Sequence, residues 1–264
     1  MLKQIILTSA VVIGLVFLLV YLFQRNFIYF PDKHKPGLQE FHAEDLSIVL
    51  LNTQDNLVLS SWYKPAVNHL PTILYLHGNA GHIGYRMPLA RQFIQSGLGI
   101  FLLEYRGYGG NKGKPTENGL YEDSDAALNF LIQQGINPEK IVLYGESLGT
   151  GVATKLAMQH QFCAVILQSP FTSLTSLSNY HYPWLFIKPW DEFNSLERIQ
   201  AIRAPILILH GKQDEIVPYE DGLTLFNKAN QPKKMISFEH QNHNNLWNNR
   251  FSEEIIRFIN LYCK

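Results

Sequence analysis

A serine becomes a nucleophile when the backbone thrusts its hydroxyl into a cleft and a base takes its proton. Gly145-Glu146-Ser147-Leu148-Gly149 has the makings of such a site. It lies where an apolar run, Ile141 to Tyr144, gives way to the helix-like run Thr150 to His160. A sharp strand-to-helix turn crowds its neighbours, so small residues are needed two positions either side of the serine, and Gly145 and Gly149 supply them. The competing reading of Ser147 is a surface serine capping a helix.

A base and an orienting acid should follow in loops behind later strands. Pro205 to Leu209 is a buried-strand pattern that runs through His210-Gly211-Lys212-Gln213 into Asp214, and His243 lies behind the apolar run Met235 to Phe238. The expected triad is therefore Ser147, Asp214 and His243, with Glu215 the nearest substitute for the acid and His240 a minor candidate for the base. Tyr75-Leu76-His77-Gly78-Asn79-Ala80-Gly81 leaves a strand through small residues. Its backbone N–H groups can approach a ligand, so an oxyanion hole is expected from the amides of Asn79, or next Ala80, and Leu148. His77 reads as structural.

The elements that must carry these residues follow from periodicity. Leu46 to Leu51 and Leu57 to Tyr63 alternate around Asn52-Thr53-Gln54-Asp55-Asn56, as an antiparallel pair does. Thr72 to Leu76, Gly99 to Leu103, Ile141 to Tyr144, Ala164 to Leu167, Pro205 to Leu209 and Met235 to Phe238 are short continuous apolar runs, the mark of strands covered on both faces. Helical spacing fills most gaps between them, notably Leu120 to Ile132 with a stop at Gly135, and Ser252 to Leu261. Alternating strands and helices imply an α/β fold with a mainly parallel central sheet flanked by helices. The stretch at about 171–201 is too long for a connection; with Tyr180, Tyr182, Trp184, Phe186, Trp190 and Phe193, it is expected to form a small cap over the ligand crevice. Its aromatics are equally compatible with a core of their own and with a lipophilic substrate wall.

At the N-terminus, Ile5 to Phe23 carries no charge and is long enough to cross a bilayer as a helix. We expect a membrane anchor over 1–25, a tether over 26–45 and one catalytic-sized domain over 46–264. A cleaved signal peptide is the rival, though its apolar region should be shorter and end in an Ala-x-Ala-like site. Basic residues flank the segment on both sides, so the membrane face is not specified.

Formal net charge is zero, and the domain has no Lys/Arg block, so nucleic acid is not an expected partner. Only Cys163 and Cys263 are present, which excludes a disulfide framework or a cysteine-based zinc site. His240 and His243 lack a third ligand, so no metal is expected, and nothing calls for a cofactor.

His77-Gly78-Asn79-Ala80-Gly81, Glu104-Tyr105-Arg106-Gly107-Tyr108-Gly109, Gly145-Glu146-Ser147-Leu148-Gly149, Ser169-Pro170-Phe171-Thr172-Ser173-Leu174, His210-Gly211-Lys212-Gln213-Asp214 and His243-Asn244 occur in the order of the motifs of the α/β-hydrolase superfamily. With the N-terminal apolar segment, the chain resembles the α/β-hydrolase domain-containing protein 13 group of membrane-anchored serine hydrolases over roughly residues 45–260. Glu104 stands where that group has Asp, and Asn242 where it has Gly before the histidine. The resemblance implies an α/β-hydrolase fold and hydrolysis of an ester-type acyl bond, and the membrane anchor and aromatic cap favour a small-molecule lipophilic acyl substrate: an ester, thioester or lysolipid. The same triad would serve a peptidase, an acyl-peptide hydrolase or a depalmitoylating enzyme, and a hydrolase fold without turnover would make an anchored binding protein. Halide chemistry would call for an Asp at the elbow.

Overall fold

The computed structural model describes residues 1–263. Ten strands run along the described residues: β1 (Phe30–Pro31), β2 (Ser47–Asn52), β3 (Val58–Lys64), β4 (Thr72–Leu76), β5 (Ala80–Gly81), β6 (Gly99–Leu103), β7 (Ile141–Glu146), β8 (Ala164–Gln168), β9 (Ile206–Gly211) and β10 (Lys233–Phe238). The helices are α1 (Leu2–Phe23), α2 (Met87–Gln95), α3 (Glu117–Gln133), α4 (Leu148–Gln159), α5 (Leu174–His181), α6 (Ser195–Arg198), α7 (Tyr219–Lys228) and α8 (Asn249–Tyr262).

Eight strands form one sheet in the order β10-β9-β8-β7-β4-β6-β3-β2. The pairs β2–β3 and β3–β6 are antiparallel, and all others are parallel. Every residue of β4, β6, β8 and β9 is buried, as continuous apolar strands with both faces covered must be. Alternate residues divide between two cores: Leu74 and Leu76 pack with Leu143, Val152 and Leu128 on one face, while Ile73 and Tyr75 pack with Phe93, Tyr144 and Ile255 on the other. The first core lies beneath α3 and α4, the second beneath α2 and α8.

Strand positions follow the sequence expectation to within a residue or two. The chief extensions are at carboxyl ends: β7 runs on to Glu146 and β9 to Gly211, where parallel neighbours continue the ladder beyond the apolar run. The stretch after β8 forms α5, an extended loop and α6. Its aromatics do not make a core of their own: Phe193 is buried, but Tyr180, Tyr182, Trp184, Phe186 and Trp190 are exposed.

Two cysteines make no disulfide framework, yet Cys163 and Cys263 are bonded, with Cα atoms 5.2 Å apart and a sequence separation of 100. Cys163 precedes β8, and Cys263 directly follows α8, which packs across β8 and β9. Helix packing brings the two together, a proximity that sequence spacing does not contain.

Helix α1 buries none of its residues. Beyond it the chain lies on the domain. Phe30 N–H donates to Asn79 C=O at 2.9 Å and Asp32 N–H to Gly81 C=O at 3.1 Å, so β1 and β5 pair as a small parallel sheet. Ala43 and Leu46 continue into the second core.

Candidate active site

The carboxyl ends of four strands converge on one cleft. Ser147 follows β7, Asp214 follows β9, His243 lies in the loop after β10, and Gly78–Asn79 follow β4. Ligand crevices of open parallel sheets form at this end.

Ser147 has φ 50° and ψ −115°, a conformation outside the regions open to most L-residues. It occupies the N-cap position of α4, but its side chain makes no capping bond, which removes the helix-cap reading. The turn is held by Ser147 N–H donating to Gln168 C=O at 2.9 Å and by Thr150 N–H donating to Ser147 C=O at 2.9 Å. Gly145 and Gly149 are required by space. A Cβ on Gly145 would lie 2.7 Å from Gly149 O, and one on Gly149 would lie 2.1 Å from Leu76 O and 2.7 Å from His77 O.

His243 Nε2 is 3.0 Å from Ser147 Oγ, and its Nδ1 is 2.7 Å from Asp214 Oδ2. An ionised carboxylate only accepts, so the contact with Asp214 puts a proton on Nδ1 and leaves Nε2 to accept from the hydroxyl. Asp214 Oδ1 accepts from the N–H groups of Ile216 at 2.9 Å and Val217 at 2.7 Å. Burial on its own would raise the Asp214 carboxyl, but its contacts with His210 and His243 outweigh burial and hold it well below the usual carboxylate range. The three residues expected from the sequence thus stand together, whereas His240 is exposed on the turn before His243.

Asn79 lines the cleft beside Ser147. Its side-chain amide donates to Ile28 C=O at 2.8 Å, and its own C=O accepts from Phe30 N–H and from Tyr108 Oη at 2.8 Å. The side chain and carbonyl are thereby committed to the scaffold. Leu148 is the first residue of α4, where an N–H has no partner inside the helix.

Other polar side chains surround the three, and Glu146 and His210 among them are given no role by the sequence. Glu146 sits inside the elbow and receives Arg86 through Nε at 3.1 Å and Nη2 at 2.9 Å, together with Tyr75 Oη at 2.8 Å. Burial would raise its carboxyl, but the Arg86 charge and these hydrogen bonds hold it below the ordinary range. Held by three donors from two side chains, it braces the elbow. Its place between Gly145 and Ser147 was the one available signal. His210 is buried with Nε2 3.0 Å from Val217 C=O and 3.4 Å from Asp214 Oδ2. His77 is structural, with Nδ1 2.7 Å from Gly78 C=O and Nε2 3.3 Å from Glu104 Oε1. Glu104 Oε2 accepts from Ile83 N–H at 3.1 Å, tying down the segment after β5. Among the described residues no group of three or more His, Cys, Asp or Glu is placed to hold a metal ion.

The cleft encloses about 540 Å³ and is walled by Phe30, Asn79, Arg86, Ile216, Asn244 and Trp247. Such an arrangement can add a serine oxygen to an acyl carbon and pass the proton to an imidazole held in one tautomer.

Comparison with known proteins bears on the fold. Residues 71–189 match the family model described as alpha/beta hydrolase fold. The chain is 38% identical over 240 residues to an uncharacterized protein of Mycobacterium tuberculosis, covering 89% of this chain and 85% of that one. It is 34% identical over 203 residues to the human protein named alpha/beta hydrolase domain-containing protein 17B, covering 74% and 67% respectively. Among solved structures, an esterase of Pyrococcus furiosus superposes with a TM-score of 0.72 at 17% identity, over 90% of this chain and 98% of that one.

Proposed function

The chain belongs to the α/β-hydrolase family, and from that premise we propose that it is a serine hydrolase that cleaves an ester-type acyl bond. The observation that carries the reading is the unbroken relay from Ser147 Oγ through His243 to Asp214. In the first half-reaction Ser147 Oγ bonds to the acyl carbon while its proton moves to His243 Nε2. The tetrahedral oxyanion is received by the amides of Leu148 and Asn79. Collapse breaks the bond to the leaving group, which departs with the His243 proton. Water then gives a proton to His243 and adds to the acyl-enzyme. The carboxylic acid leaves, and Ser147 recovers its proton. Asp214 stays ionised throughout and stabilises the imidazolium.

Helix α1 is long and apolar enough to span a membrane, and we read it as a retained single-pass anchor. The contacts of its last residues and the following turn support this over a cleaved leader. Trp190 N–H donates to Gln24 Oε1 at 2.6 Å, and Arg25 pairs with Asp191 through Nε at 2.8 Å and Nη2 at 3.0 Å. Removing these residues would strip partners from a buried carboxylate.

Fluorophosphonate labelling of the full chain in detergent micelles, beside Ser147→Ala and His243→Ala, tests the mechanism, with the modified peptide located by mass spectrometry. Labelling confined to Ser147 and lost in both variants is the expected result. No labelling in folded protein would leave a hydrolase fold that binds without turnover. Fast cleavage of short acyl peptides with inert acyl esters would replace the esterase reading with a peptidase.

A further inference from the structure

A second cavity of about 380 Å³ lies between the end of α1 and the cap. Its walls are overwhelmingly apolar. Val20, Phe27 and Ile28 come from the anchor and its following turn, and Leu177, Leu185 and Ile187 from α5 and the loop after it. The wall from the anchor is fixed against the cap. Arg25 and Tyr29 both donate to Asp191, whose Oδ1 also accepts from Glu117 N–H at 3.2 Å, and Tyr21 packs edge-on against Trp190 with ring centroids 5.2 Å apart.

Two contacts join this cavity to the cleft. Ile28 lines the cavity, and its C=O accepts from the side chain of Asn79, which lines the cleft. His181 lines the cavity, and its Nε2 meets the C=O of Ile216, which lines the cleft, at 2.8 Å. The two spaces are therefore neighbours, with residues lining one bonded to residues lining the other. Around the mouth of the apolar one, the side chains are those that settle at a bilayer surface: Phe186 is 91% exposed, Trp184 62% and Phe27 65%.

We propose that the cavity between α1 and the cap receives the acyl chain of a single-chain lipid ester, of the monoacyl-glycerolipid type, which reaches Ser147 from the bilayer. This rests on the serine-hydrolase reading and on α1 as an anchor. The volume is at the small end for ligand sites, which suits one chain. The adjoining cleft has Arg86, Gln168 and Asn244 for a small polar head group. The wall contributed by α1 makes the anchor part of the binding site, so a chain still partly in the membrane passes along protein rather than through water.

The test uses the full chain in nonionic micelles with p-nitrophenyl acetate, butyrate, octanoate and palmitate. In the wild type, kcat/KM rises by up to about fourfold per methylene where the chain is newly buried, the equivalent of roughly 0.8 kcal/mol each. Ser178→Trp, which fills the cavity, lowers the palmitate-to-acetate ratio of kcat/KM by about tenfold or more, the worth of two buried methylenes. Leu185→Ala, which widens it, raises that ratio, and fluorophosphonate labelling at Ser147 reports that each variant is folded. An unchanged ratio in both variants overturns the proposal while leaving the hydrolase intact. Absence of both labelling and ester turnover in the wild type overturns the hydrolase reading. Independently of turnover, a diazirine-bearing monoacylglycerol bound to Ser147→Ala is expected to crosslink within 20–28 or 174–189, and crosslinks elsewhere refute the site. Preference for an S-palmitoyl peptide over monoacylglycerol replaces the lipid with a lipidated protein and overturns that part of the proposal.

Discussion

Gly149→Ala separates lack of space from lack of conformational freedom as the reason for a glycine. The new methyl would lie 2.1 Å from Leu76 O and 2.7 Å from His77 O, both backbone atoms at the end of the strand that carries Gly78 and Asn79. Nothing there can rotate away, so α4 must move from β4, at a cost at or above the upper end of the 1–3 kcal/mol usual for overpacking, about 3 kcal/mol. Gly135→Ala is the control: that glycine has φ +82° and no atom within 4 Å of an added Cβ, so only backbone strain of about 1 kcal/mol opposes it. For a domain of this size, each kcal/mol moves Tm by about 2–4 °C, which predicts a fall of roughly 6–12 °C for Gly149→Ala and roughly 2–4 °C for the control. Thermal melts give the first comparison. Fluorophosphonate labelling gives the second, since displacing β4 carries the Asn79 loop away from Ser147; the rate should drop at least about tenfold, the effect of losing about 1.4 kcal/mol of stabilisation. Equal melting shifts for the two variants, with labelling at the wild-type rate, would refute the close-packing account of the elbow.

Asp214→Asn should lower ester turnover by on the order of 10³–10⁴ through loss of the oriented imidazole, with a much smaller change in KM; steady-state kinetics checks this. Because the Asp214 carboxyl is held below its ordinary value, its contribution to stability is complete above about pH 4 and is lost only as the pH falls further, so the Tm difference between wild type and Asp214→Asn should shrink on acidification below that point. Replacing Cys163 and Cys263 by serine opens a closure of 100 residues and should cost about 2–4 kcal/mol, with Ser147 labelling unchanged; an unaltered melting curve would exclude the bond from the folded protein. Asp191→Ala should leave Tyr29 Oη without its acceptor at a cost of about 1–3 kcal/mol, raising hydrogen exchange selectively in 21–30 and in the cap loop rather than throughout the domain.

The parts of the molecule governed by short-range rules were readable from sequence. Continuous apolar runs marked β4, β6, β8 and β9 because such strands must be covered on both faces. Ser147, Asp214 and His243 could be nominated because each follows a strand whose carboxyl end faces the crevice. What escaped the sequence depends on tertiary proximity. The Cys163–Cys263 bond needs α8 laid across the sheet. Asp191 reads as one more polar residue in an aromatic loop until Arg25 and Tyr29 arrive from 160 or more residues away. The exposed cap aromatics could not be placed because composition does not say which side of a loop faces protein.

The pairing of β1 with β5 governs where the chain can be shortened. Deletion through Arg25 removes an ion-pair partner of Asp191, and deletion beyond Phe30 also takes away the donor to Asn79 C=O. A chain trimmed past Phe30 therefore also leaves one rim of the loop beside Ser147 unsupported. Cutting before Tyr21 retains the Trp190, Asp191 and Asn79 contacts, so comparing that truncation with one starting after Phe30 would separate loss of the apolar helix from loss of the loop's support.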